Sequence, residues 1–434
     1  MLAISQWQEL STHQQQGLLQ RPPVAHADTR QCQQIVEAVR ARGDQALLEF
    51  TERFDGVQPE SLRVPVATIT GALEDLEGPL KHALLAAHRN IRGFHAHTLQ
   101  NYSMYEPAKG VQCEVRLTPV PAVGLYIPGG TAPLPSTVLM LGVPAELAGC
   151  PRRILCTPPQ NNGRVDPLVL AAAALCNIDH VYAVGGAQAI AAMAYGTATV
   201  PKVHKIFGPG NPWVTRAKQI VALDPSGAGC DMPAGPSEVL VIADAQANPE
   251  FIAADLLSQA EHGEDSQVLL VTPCLTLAKT VQEAVVAQLT VLGREEIARK
   301  ALTNSRIIIT ESLRQALAVS NDYAPEHLII NTAAPRDLLP GIENAGSVFL
   351  GPWSPESVGD YCSGTNHVLP TNGYASHVSG VSVADFQKRI TVQQLDQKGL
   401  QEIGWIAETL ARAEGLDAHA NAVTLRSATA PEPA

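Results

Sequence analysis

The stretch Val123-Gly-Leu-Tyr-Ile127-Pro-Gly-Gly130 is a short apolar run that stops in a Pro-Gly-Gly turn, and a helical pattern begins near Ser136. A strand that passes through a glycine turn into a helix opens a βαβ unit. The same rhythm spreads outward from it. Arg153-Ile-Leu-Cys156 reads as a strand, residues 167–176 as a helix, and His180-Val-Tyr-Ala-Val184 as a strand entering Gly185-Gly-Ala-Gln188. Val203-His-Lys-Ile-Phe207 enters Gly208-Pro-Gly-Asn211 and a helix through Trp213, Ala217 and Ile220. The pattern restarts with Glu238-Val-Leu-Val-Ile-Ala243, a helix from residue 249 to about 261, Gln267-Val-Leu-Leu-Val271 and a long helix from Leu275. Arg306-Ile-Ile-Ile-Thr310, His327-Leu-Ile-Ile330 and Ser347-Val-Phe-Leu350 continue it. Continuous apolar strands alternating with helices predict parallel sheets buried on both faces.

The expected fold is therefore α/β, with two Rossmann-like, incomplete, parallel-sheet domains over residues 111–235 and 236–380. A helical N-terminal segment, 1–110, precedes them, and a helical C-terminal tail, 381–434, follows. Asp28 is placed to cap the first main helix. A second, from about residue 80 to 98, carries His82, His88, His95 and His97, too unevenly spaced for a metal cluster, so solvated positions are expected. After Asp385 the apolar spacing through Val392, Leu395, Leu400, Leu410 and Leu416 reads as helix.

Composition narrows the function. Of 434 residues, 30 are Lys or Arg and 42 are Asp or Glu, a formal charge of −12 that argues against nucleic acid as a partner. No apolar run reaches membrane-spanning length, and the start lacks a basic segment followed by a long apolar one, so a cytoplasmic chain is expected. Eight scattered cysteines form no Cys-x-x-Cys pair, and reduced, non-catalytic thiols are the expectation.

Three kinds of site stand out. Gln259 and His262 lie three apart at the end of the 249–261 helix, on one side of its last turn, where an amide oxygen and an imidazole could form half of a metal site. Capping of free carbonyls by His262 explains the same spacing. Glu326 and His327, after Pro325, offer a carboxylate that can activate water and an imidazole that can take a hydroxyl proton. Asp360 sits in a long polar loop after a strand, and Glu414 and His419 lie in the tail. The glycine loops after three strands suit a phosphate, although Gly-x-Gly-x-x-Gly fails because Trp stands at 213. The glycine loops and the Asp360 loop follow strands, at the carboxyl ends where open α/β sheets bind ligands, whereas Glu326 and His327 stand at the start of one.

Taken together, these stretches resemble the histidinol dehydrogenase family from about residue 28 to about 426. The resemblance is carried by Val123 to Gly130, Val184-Gly-Gly-Ala-Gln-Ala-Ile190, Lys205-Ile-Phe-Gly-Pro-Gly-Asn211, Asp231-Met-Pro-Ala-Gly-Pro-Ser-Glu238, Leu256 to Gly263, Pro325-Glu-His-Leu328 and Gly359-Asp-Tyr-Cys-Ser-Gly-Thr-Asn-His-Val-Leu-Pro370. It implies oxidation of L-histidinol through L-histidinal to L-histidine, the end of histidine biosynthesis, with two NAD and one zinc ion per subunit in a homodimer with shared sites. Carried over by motif, the zinc ligands are Gln259, His262, Asp360 and His419, and Glu326 and His327 are catalytic. Tyr126, Gln188 and Asn211 fall at NAD, making 111–235 the NAD side, and Ser237 and Glu414 join His327 and the zinc ligands at the substrate. Asn372-Gly-Tyr-Ala-Ser-His377-Val departs from the family pattern, and His377 receives no role. Nitrogen and oxygen donors without Cys suit a catalytic zinc. A zinc hydrolase with Glu326 as base, and a non-catalytic zinc protein, are the rival classes that the residues alone permit.

Overall fold

A computed structural model describes residues 2–23, 27–129, 133–232 and 235–428. Its strands in chain order are β1 (Ala3–Gln6), β2 (Tyr105–Ala108), β3 (Val111–Pro119), β4 (Ala122–Tyr126), β5 (Arg152–Thr157), β6 (His180–Ala183) and β7 (Lys205–Phe207). They continue with β8 (Gly229–Cys230), β9 (Glu238–Ala243), β10 (Gln267–Thr272), β11 (Arg306–Ile309), β12 (His327–Asn331), β13 (Ser347–Leu350) and β14 (Gln387–Leu395). The fold is α/β with two parallel sheets, as expected. The first is ordered β6-β5-β4-β7-β8 and the second β1-β11-β10-β9-β12-β13. Counted within each half, both run third, second, first, fourth, fifth, the order of a mononucleotide-binding unit.

Burial explains why these runs became strands. Every residue of β4, β9, β10 and β12 is buried, because helices cover both faces of each sheet. One core lies between the first sheet and helices Pro135–Leu147 and Pro167–Leu175, another under Gly186–Tyr195 and Pro212–Leu223. The second sheet is covered by Pro249–Ala260 and Leu275–Leu289 on one face and Leu313–Tyr323 on the other.

Two stretches differ from their helical readings. Ala3–Gln6 is a strand pairing in parallel with β11 at the edge of the second sheet, with Leu2 buried beneath it. Gln387–Leu395 pairs antiparallel with the whole of β3, from Gln387 opposite Pro119 to Leu395 opposite Val111. Ile390-Thr-Val392 is β-branched and favours a strand once a partner is present, and that partner is remote in sequence. Helices Gln397–Ala413 and Asp417–Ser427 follow. The histidine row on helix Gly78–His97 is also mixed: His82 and His97 are exposed, but His95 is buried and burial lowers its pKa to about 4.

Candidate active site

The carboxyl edge of the first sheet opens on a cleft of about 1450 Å³ lined by Tyr126, Gln188 and Asn211 together with Asp55, Thr157 and Trp213. It lies at the switch point between β4 and β7, where open α/β sheets bind ligands. Its walls are braced. The Tyr126 hydroxyl accepts from Gly186 N at 3.0 Å, and Asn211 caps its helix by accepting from Trp213 N and Val214 N. Gly208 has φ +122°, and a Cβ there would meet Tyr126 O at 2.1 Å. Lys218 reaches back from the following helix to Gly208 O and to Asp231, whose carboxylate accepts from Gly208 N. Gly130, the last residue of the Pro-Gly-Gly stretch, lies outside the described residues.

In the second half Glu326 and His327 stand at the start of a strand, as read from sequence, and their neighbours gather at that same edge. Ser237 precedes β9, Glu326 and His327 stand at the start of β12, and Gln259 and His262 end a helix that returns to the beginning of the next strand. This group therefore occupies the amino edge of its sheet. The reason is local: the helix end, and the turn at Ala324 (φ +52°) and Pro325, bring polar side chains to the edge where the strands begin.

There, Glu326 Oε2 accepts from Glu238 N at 2.9 Å and lies 3.6 Å from His327 Nδ1. His327 Nδ1 lies 3.0 Å from Glu238 O, and its Nε2 is 3.5 Å from Asp360 Oδ1. Burial raises the Glu326 pKa against the pull of His327. Burial acts to lower that of His327, but Glu326 and Asp360 outweigh it and hold it well above its usual value. Beneath them, Arg21 makes a two-pronged ion pair with Glu238 at 2.6 and 2.8 Å, and Asn372 N donates to the same carboxylate at 2.7 Å. The Asn372 loop thus braces this cluster through its backbone.

His262, Glu356 and Asp360 bring ligand atoms within 4.8 Å of one another. Glu356 was not singled out from sequence. Its signal was present, since Glu356 and Asp360 are four apart and share a face of helix Glu356–Tyr361. Gln259 Oε1, His327 Nε2, Glu356 Oε2 and Asp360 Oδ1 are buried without a hydrogen-bond partner. So many orphaned donors and acceptors in one place are the mark of a site that takes a polar or charged ligand. Glu414 and His419 are exposed on the tail, and His419 does not join this cluster. No cysteine is part of it; burial raises the thiols of Cys150 and Cys156.

The family model described as histidinol dehydrogenase matches residues 20–427. The chain belongs to the histidinol dehydrogenase family. It is 57% identical over 422 residues to the histidinol dehydrogenase of Vibrio parahaemolyticus serotype O3:K6, covering 97% of each chain. The one from Yersinia pestis is 54% identical, with 97% of this chain and 94% of the relative covered. The crystal structure of histidinol dehydrogenase from Elizabethkingia anophelis superposes with a TM-score of 0.94 at 47% identity, over 98% of both chains. Membership of this family makes the protein an oxidoreductase of histidine biosynthesis.

Proposed function

We propose that the protein oxidises L-histidinol through L-histidinal to L-histidine, using two NAD and one zinc ion per subunit. The observation that carries this is the meeting of an acid–base pair, Glu326 and His327, with the unpartnered oxygens of Gln259 and Asp360 beside His262. Gln259, His262 and Asp360 are donors of the type that hold a catalytic zinc, and His419 of a second copy would complete the set. Tyr126, Gln188 and Asn211 line a cleft wide enough for a dinucleotide. When bound, zinc orients the amino alcohol and NAD accepts hydride.

The chain's own residues supply the proton chemistry. The Glu238 carbonyl only accepts, so it holds a hydrogen on His327 Nδ1 and leaves Nε2 as the basic position. Asp360 helps to hold His327 protonated, and as a ligand of the metal it would no longer do so, leaving Nε2 free to take the hydroxyl proton as the carbinol hydrogen departs and the aldehyde forms. Glu326, fixed by Glu238 N, takes a proton from the water that adds to it. The hydrate then loses its second hydride, and the acid results. Ser237 and Glu414 would fix the substrate's remaining polar groups.

A homodimer with shared sites is supported by the tail, where Trp405, Leu410 and Leu425 are 63%, 58% and 63% exposed on the element that carries Glu414 and His419. Such apolar surface calls for cover by another chain. A cytoplasmic enzyme agrees with the absence, among the described residues, of any helix long and apolar enough to cross a membrane.

The test is purified protein with histidinol and NAD, with and without a tight chelator. Two reduced nicotinamides per histidinol, loss with chelator and recovery with zinc are expected. Full activity in verified metal-free protein would end the zinc assignment, and no nicotinamide reduction would end the dehydrogenase assignment.

A further inference from the structure

Among the described residues, two acids line the cleft of the first sheet, Asp55 and Asp166. Asp166 is engaged: it caps its helix by accepting from Leu168 N at 2.8 Å, and it accepts from Gln160 Nε2 at 2.6 Å. Asp55 is not. Its Oδ2 is buried and has no hydrogen-bond partner among the described residues. It is also the last residue of helix Asp44–Asp55, where the negative end of the helix dipole opposes a carboxylate. A half-buried carboxylate so placed costs stability, and a ligand with hydroxyl donors would supply the missing partners. Its position fits one such ligand. In mononucleotide-binding units an acid beyond the glycine turn takes the hydroxyl of the adenosine ribose. Here the loop after β5, the second strand of its unit, has Asp166 as its one acid, and that carboxylate is already bonded. The end of helix Asp44–Asp55 reaches this loop from outside the sheet, and a Cβ on Gly163 would lie 3.5 Å from Gln58 O. Asp55 thus brings a free carboxylate to the place where the sheet offers none.

We propose that Asp55 selects NAD over NADP by accepting a hydrogen bond from the 2′-hydroxyl of the adenosine ribose. This rests on the NAD reading above. In NADP that hydroxyl is a phosphate ester, which has no hydrogen to donate and sets one anion against another. Arg53, two residues before Asp55 in the same cleft wall, would by itself favour the phosphate, so the choice between the two dinucleotides falls to Asp55.

The experiment is calorimetric titration of the full-length protein, without histidinol, with three probes: NAD, NADP, and NAD lacking the 2′-hydroxyl of its adenosine ribose. Parent, Asp55→Asn and Asp55→Ala are compared. Asp55 Oδ2 has no partner to lose, so both variants should melt no lower than the parent. Both should bind NAD about 10-fold or more weakly than the parent does, and NADP no more weakly, so that the preference for NAD narrows. Removing the 2′-hydroxyl should cost the parent about 10-fold or more and the variants little, because the group that reads it is gone. The same cost in parent and variants would show that Asp55 does not meet this hydroxyl and overturn the proposal. Unchanged NAD affinity in both variants would also overturn it while leaving the NAD reading standing. Failure of the parent to bind NAD would remove that reading, and this proposal with it.

Discussion

In the proposed mechanism Glu326 and His327, neighbours in sequence, have separate tasks, and a single substitution separates them. Water must be activated only after the aldehyde forms. Glu326→Gln should therefore slow oxidation of supplied histidinal by roughly 100-fold, and more than it slows oxidation of histidinol to the aldehyde. Equal damage to both half-reactions would contradict the assignment. Thiols should matter little. Cys150 and Cys156 are buried with raised pKa values, and Cys113 lies on β3, away from the cluster. Changing any one of them to Ser should leave turnover within a few-fold of the parent, and a folded but inactive variant would restore a thiol mechanism.

Of the residues that the resemblance named, a Glu-His pair after Pro and a Gln and a His three apart show their chemistry in one dimension, whereas Ser237, Glu414 and His419 carry no such local signal. Glu356 escaped notice because a glutamate in a polar loop looks solvated until the fold buries it. His95 went the same way. Its helix periodicity is visible, but its burial beside Asn366, which donates to Met140 O, depends on contacts far along the chain.

Elements were legible where they were locally decided. Glu238–Ala243 was read to the residue because a fully buried parallel strand is a continuous apolar run. Gln387–Leu395 was not, since its spacing suits a helix as well and β3 decides the matter. That Glu326 and His327 stand at the start of a strand was legible, but that Ser237, Gln259 and His262 gather at the same edge of the sheet depends on how the strands pair.

Two predictions belong here. The Arg21–Glu238 pair ties the N-terminal segment and the Asn372 loop to the start of β9. Arg21→Met would strand a buried carboxylate and should destabilise the protein by about 3 kcal/mol or more, read as a lower urea midpoint. An unchanged midpoint would show the pair to be dispensable. Gly208→Ala forces a Cβ onto Tyr126 O in a left-handed conformation, at a local strain of about 1–3 kcal/mol. The loop must shift, and the KM for NAD should rise about tenfold. An unaltered KM would detach this loop from the cofactor.

At the scale of the whole molecule, the two parallel sheets share one strand order, the proposed NAD and metal sites lie at opposite edges of them, and the tail leaves Glu414 and His419 exposed, apart from the cluster. The central claim is that a complete site needs two chains. It is tested by unfolding His262→Ala and His419→Ala together and refolding them as a mixture. Each variant alone should be inactive. If His419 acts on the partner's site, each mixed dimer has one site with both defects and one with neither, and random pairing recovers about one quarter of the parent activity. If His419 serves its own chain, every site in the mixture lacks a ligand. No recovery, with mixed dimers shown to be present, would contradict the shared site.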